Sequence, residues 1–203
     1  MRCKGKYLGK YLMLKDVFKM AGKIDYFCPR IKSNFMTNRK LNKQLESDLF
    51  SAKSETVISA LNTLKEKGNV HYLPLLFDLL KSSPEENIEK EINNILGNLK
   101  VREAAPVLVE ALQEQRYKPI RKPLATACWQ NGLEFKDYLP VFVTLVIEED
   151  FETGFEAFTV IESMEKYPED KIITEVTYQI QRSLETADEQ KRYFLHEILT
   201  MIR

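Results

Sequence analysis

Cysteine, glycine, histidine and tryptophan are all scarce in this chain of 203 residues, which holds three, seven, two and one of them. Cys3, Cys28 and Cys128 are too few and too far apart for a disulfide framework, which fits a reducing, cytoplasmic compartment. Few glycines and no alternating apolar–polar runs argue against a sheet. His71 and His196 each lack a second histidine or cysteine at i+3 or i+4, so the converging ligands of a zinc site are missing and no metal is expected. The longest apolar run, residues 138–147, is broken by Pro140 and reaches about half of the roughly 20 residues a membrane span needs. There is no Gly-rich phosphate loop, no GxSxG and no HExxH. No histidine neighbours Cys128 in sequence to activate its thiol, and no pattern singles out a carboxylate pair for acid–base work. No cofactor and no catalytic residue are expected.

What is present is a repeat. Residues 118–149 read as a helix, a short turn and a second, more apolar helix. The first helix places Ile120, Leu124 and Ala127 at i, i+4 and i+7, one stripe of a 3.6-residue helix. The same stripe recurs as Val57, Leu61, Leu64, then Ile88, Ile92, Ile95, and, one period on, Phe151, Phe155, Phe158. The second helices align through Tyr72-Leu73-Pro74-Leu75, Ala104-Ala105-Pro106-Val107 and Tyr138-Leu139-Pro140-Val141. Each proline falls near a helix start, where its missing N–H costs least. The fourth unit departs, with Thr174 at the proline position. Stripe, proline and period together predict a stacked helical-repeat protein.

The expected helices run 38–50, 54–67, 69–81, 84–98, 102–114, 119–131, 136–149, 151–166, 169–184 and 187–202. Ser54 is an N-cap candidate, and Gly68 and Gly132 are helix stops. Ser83-Pro84-Glu85-Glu86 is a helix start with cap, first-turn proline and acids suited to the dipole. Pro123 either kinks its helix or marks a late start. Asp150 is read as an N-cap with Glu152 in the first turn. Phe194, Ile198 and Met201 are expected to face inward from the last helix.

Helix–turn–helix units of this length, with the strings KPLATACWQNGLEFKDYL and EEDFETGFEAFTVIESME, resemble HEAT repeats, and specifically small HEAT-repeat proteins of the Bacteroidota type. The resemblance covers residues 37–203. It implies an all-α fold, an α-α superhelix of about four helical hairpins with capping helices, and binding of another protein. It hands over no catalytic residue.

Charge divides the chain. The whole holds 30 basic and 30 acidic residues, but residues 1–44 carry twelve basic and two acidic ones, leaving 18 and 28 for residues 45–203. A basic segment over residues 1–36 therefore precedes an acidic repeat domain over 37–203. Three readings stand for the basic segment. Tyr7, Leu8, Tyr11, Leu12, Phe18 and Ala21 share one helical face ringed by lysines, suited to a membrane surface or an acidic partner. Alternatively the segment docks on its own acidic repeats or stays disordered. In the third reading it is an upstream extension from a misassigned start. Lys10 and Lys15 bracket too short an apolar core for a secretory signal.

Trp129 is read two ways, as an exposed anchor for a partner or as packing between neighbouring hairpins. Second helices commonly line the inner surface of such stacks, making His71, Asp78, Glu103, Glu110, Tyr138 and Thr144 candidate contacts. Cys128 reads as a small core hydrophobe. The expected function is a non-catalytic, cytoplasmic scaffold that binds another protein. The rivals are a nucleic-acid-binding protein of DNA-glycosylase type and membrane-surface association through the basic segment. The nucleic-acid reading is disfavoured because the repeats are net acidic and offer counterion release little to work with.

Overall fold

Each repeat helix carries an apolar face that a single hairpin partner cannot cover, and stacking is the solution. A computed structural model of the protein describes residues 42–203 except 68 and 83. Among the described residues there are ten α-helices and no strand. They are α1 (Lys43–Leu49), α2 (Ser54–Lys67), α3 (Leu73–Lys81), α4 (Glu86–Gly97), α5 (Ala104–Gln113), α6 (Arg121–Asn131), α7 (Leu139–Glu148), α8 (Phe151–Glu162), α9 (Asp170–Leu184) and α10 (Glu189–Met201). Short 3-10 turns, Val70–Tyr72, Gln115–Ile120 and Lys136–Tyr138, lead into α3, α6 and α7.

Helices α2, α4, α6, α8 and α10 pack each on the next as a first row, and α3, α5, α7 and α9 form the second row. Helix α1 packs on α2 and covers that end. The described part of the chain is therefore all-α, an α-α superhelical stack of four hairpins with α1 and α10 at its ends. In α3, α5 and α7 the second row is the more deeply buried, whereas α9 buries only Val176 and Ile180. Leu139, Val141, Phe142, Val143, Leu145 and Val146 of α7 are all buried, because α5, α8, α9 and α10 enclose that helix.

Local chemistry sets the helix ends. Pro74 and Pro140 occupy the second residue of α3 and α7, and Pro106 the third of α5. The Pro123 question resolves as a late start: α6 begins at Arg121, so the proline lies in the first turn, where no intrahelical N–H bond is lost. Gly132, at φ 66°, ends α6 in the left-handed region. Asp150 caps α8 by accepting the Thr153 amide at 2.8 Å, and Asp188 caps α10 through Lys191 at the same distance. Ser54 is the first residue of α2 rather than its cap: the Lys53 carbonyl accepts the Val57 amide at 3.2 Å, and the Ser54 hydroxyl donates to Glu85 Oε1, just before α4, at 2.8 Å. Helix α8 stops at Glu162, four residues before the expected end, where the Ser163 hydroxyl closes on the Val160 carbonyl at 2.7 Å. Phe194 and Ile198 are buried as expected, and Met201 is half-buried. The expectations for the basic segment, for residues 38–41, for Gly68 and for Ser83 lie outside the described residues.

One expectation is corrected. The stripes of α2, α4 and the α6 unit are buried, but Phe151 and Phe155 are 46% and 47% exposed, and only Phe158 of that trio is buried. The core register of α8 falls one residue earlier, on Gly154, Ala157 and Ile161. The cause is close approach. Glu149 and Asp150 alone join α7 to α8, and a Cβ on Gly154 would already lie 3.5 Å from the Val146 carbonyl oxygen. Small residues therefore face the tight contact, and the phenyl rings are turned toward the rim.

Candidate binding surface

Two layers of helices present two kinds of surface, and the candidate residues fall on both. On the second row, His71 and Tyr138 lie in the 3-10 turns before α3 and α7, and Glu103 immediately precedes α5. Asp78, Glu110 and Thr144 sit farther along α3, α5 and α7. The repeat thus arranges the six as two bands across the row, not as one converging site. Several are already engaged. Asp78 Oδ1 accepts the Tyr117 hydroxyl at 3.0 Å, and Thr144 Oγ1 accepts Gln179 Nε2 at 3.1 Å while donating to the Pro140 carbonyl at 2.9 Å. The His71 amide donates to Asn69 Oδ1 at 2.9 Å, and its side chain is half-buried, as is that of Tyr138. Glu103 and Glu110 are exposed.

The Asp78–Tyr117 rung illustrates what these polar groups do. Tyr117 is buried with its ring edge against Phe77, and Arg116 lies over its face. Burial, and then the hydrogen bond to Asp78, push the phenol up to about 12. The pair links α3 to the turn before α6, and its carboxylate is spent on holding repeats together. Cys128 is likewise buried in α6, and burial pushes its thiol well above the ordinary range, against a thiolate. Among the described residues no three His, Cys, Asp or Glu side chains converge to hold a metal ion. An open groove runs along α2, lined by Ser54, Glu55, Ile58, Asn62 and Glu66.

The first row is different. Its helices are laced by polar rungs between neighbouring repeats. Lys65 pairs with Glu91, Lys100 Nζ donates to the Asn131 carbonyl at 3.0 Å, and Lys122 pairs with Glu152. The most enclosed is Arg121–Glu149 at 2.6 Å, where the carboxylate is only 7% exposed and Lys118 stands 3.8 Å away. Trp129 belongs to this lacing and also to the surface. Its indole N–H donates to Glu156 Oε2 on α8 at 2.7 Å, and 37% of the residue is exposed. It bridges α6 and α8 and keeps part of its surface in solvent.

Beyond Trp129 the first row becomes aromatic. Phe194 of α10 stacks on Phe158 with ring centroids 4.9 Å apart and on Phe151 at 5.6 Å, and Phe155 and Tyr193 lie 6.0 Å from it. Phe194 is buried beneath the others, while Tyr193 is 61% exposed. Sequence reasoning missed this cluster because it assigned Phe151 and Phe155 to the core. The signal that could have found it is the Gly154/Ala157 pair, which marks a closer helix contact than phenylalanine allows.

No family model and no curated protein matches the chain. Among solved structures, the crystal structure of an engineered protein, a Northeast Structural Genomics Consortium target, matches at 20% identity and a TM-score of 0.43, covering 78% of this chain and 77% of that one.

Proposed function

We propose that the protein is a non-catalytic HEAT-type scaffold of the cytoplasm, in which residues 37–203 bind another protein. The observation that carries this reading is the exposed aromatic face of the first row, where Trp129, Phe151, Phe155 and Tyr193 keep a third or more of their surface in solvent. Aromatic side chains supply large contact area at low entropic cost and dominate binding hot spots. The second-row polar groups support the same reading by their employment, since Asp78 and Thr144 serve inter-repeat hydrogen bonds. The HEAT assignment rests on the repeat period and the stacked rows. The compartment rests on the scarcity of cysteine.

Affinity capture from the native cell tests this, with the full chain and a chain lacking residues 1–35 as parallel baits. A discrete protein partner retained by the shorter bait is the expected result. Recovery of only nucleic acid or anionic lipid, and only with the longer bait, overturns the scaffold reading and moves function to the basic segment.

A further inference from the structure

We propose that the Asn131–Gly132 peptide is a self-modification site, at which the Gly132 nitrogen closes on the Asn131 side-chain amide to give a succinimide and then aspartate or isoaspartate. The site is separate from the aromatic face on which the scaffold reading rests. It is the one Asn-Gly pair in the sequence. A glycine after asparagine leaves the attacking nitrogen unshielded by a Cβ, and four observations at the end of α6 fit a reacting pair.

The first is the nucleophile. Gly132 is exposed, and nothing lies within 4 Å of the position a Cβ would take. Its amide donates no hydrogen bond among the described residues, whereas the amides that close α3, α5, α7 and α8 return to helix carbonyls. The nitrogen therefore has no competing acceptor and is open to water. The second is activation. Lys100 Nζ, from the connection between α4 and α5, donates to the Asn131 carbonyl at 3.0 Å. That carbonyl belongs to the same peptide group as the Gly132 nitrogen. When the N–H ionises, its negative charge is shared with this oxygen, so an ammonium there stabilises the attacking anion.

The third is the electrophile. Asn131 Oδ1 accepts the Leu133 amide at 2.9 Å, which polarises the side-chain carbonyl and stabilises the charge that grows on its oxygen as Cγ is attacked. The fourth is the leaving group. Asn131 is 1% exposed and its Nδ2 has no hydrogen-bond partner among the described residues, so no bond is lost when that nitrogen departs. In the reaction the Gly132 nitrogen gives its proton to solvent and bonds Asn131 Cγ. The Cγ–Nδ2 bond breaks, Nδ2 takes a proton from water, and ammonia leaves. Water then opens one of the two imide carbonyls. The aspartate product places a carboxylate where a buried neutral amide stood, and the isoaspartate product lengthens the backbone beside the Lys100 rung. Either loosens the end of α6 against the α4–α5 connection.

The test is incubation of the full chain at neutral pH and physiological temperature, with timed digestion and mass spectrometry of the peptide spanning Asn131. A species lighter by one ammonia, followed by the hydrolysed acid, is expected at Asn131 and not at the other described asparagines. Lys100→Met should slow its appearance by about tenfold or more, since one charge-stabilising donor is lost. Lys100→Arg keeps a cation on the carbonyl and should restore the rate, which a purely structural role for Lys100 would not predict. Gly132→Ala should slow conversion as well, because its Cβ shields the nitrogen. Far-UV circular dichroism and a thermal melt establish that the variants fold. No conversion at Asn131, equal rates in wild type and Lys100→Met, or no rescue by Lys100→Arg overturns the proposal. So does faster conversion in urea than in buffer, since the fold would then be protecting the pair. The converted fraction, separated by ion exchange, should melt below the unconverted chain, and equal melting overturns the loosening of α6.

Discussion

The seams on either side of α8 are built differently. Toward α6 the seam is closed by polar rungs: Arg121–Glu149, Lys122–Glu152 and the Trp129–Glu156 hydrogen bond. Toward α10 it is built of rings, with Phe194 under Phe151, Phe155 and Phe158. Both hold neighbouring first-row helices together, yet the aromatic one leaves more apolar surface uncovered, with Phe151 and Phe155 46% and 47% exposed against 37% for Trp129 at the polar seam. Polar rungs consume charge and fix register, because each donor needs a particular acceptor at a particular distance. Ring stacking is non-directional by comparison and tolerates an open outer face. The first seam thus behaves as structure, and the second has surface to spare.

The largest test of that contrast is at Arg121. Arg121→Ala leaves Glu149 buried with only the more distant Lys118, and should cost about 3 kcal/mol by urea denaturation. Replacing both partners, R121M/E149L, should recover most of that loss, because the unpartnered buried Arg121 Nε is removed as well. If the double variant is as unstable as the single, the pair is not the fastening it is taken to be here.

The helix cap at the same seam comes next. Asp150→Ala should cost about 1 kcal/mol, the usual worth of an N-cap. The Thr153 amide bonded to Asp150, assisted by Lys122, holds the carboxyl below its ordinary value. A depressed folded-state value means this contribution is present above the unfolded value of about 3.9 and disappears as pH falls through the folded one. The stability difference between wild type and Asp150→Ala should therefore shrink on acidification below about pH 4. A difference constant from neutral to acid pH would contradict the cap.

Sequence legibility divides along the same line. Asp150 and Glu152 were readable as cap and first turn because capping depends on neighbours within a few residues. The rungs were not readable, since Arg121 and Glu149 become partners only when the loop after α7 folds back on α6. Phe151 and Phe155 were misassigned because an apolar-stripe test treats glycine as neutral and phenylalanine as core. The second-row candidates fall on or just before second-row helices, and Asp78 and Thr144 are bound to Tyr117 and Gln179 from distant parts of the chain.

The smaller effects belong to the exposed side of each seam. Phe155→Ser should change stability by less than about 1 kcal/mol, because nearly half of the ring is already in solvent. A cost of several kcal/mol would mean that the ring is core and not surface. Lys122→Ala should cost only about 0.5 kcal/mol and less in high salt, as an exposed pair is screened.

The sequence by itself determined the helices, their period and most of their ends. These follow from 3.6-residue apolar spacing, prolines in first turns and side-chain caps, all of which act over one or two turns of chain. The tertiary structure decided which faces are covered. Whether a given apolar side chain is core or surface depends on how closely the next helix approaches. At α8 that distance is set by Gly154 against the backbone of α7. A one-residue shift in that contact turned two phenylalanines from the interior to the rim, because on a helix each residue advances the side chain by about 100°.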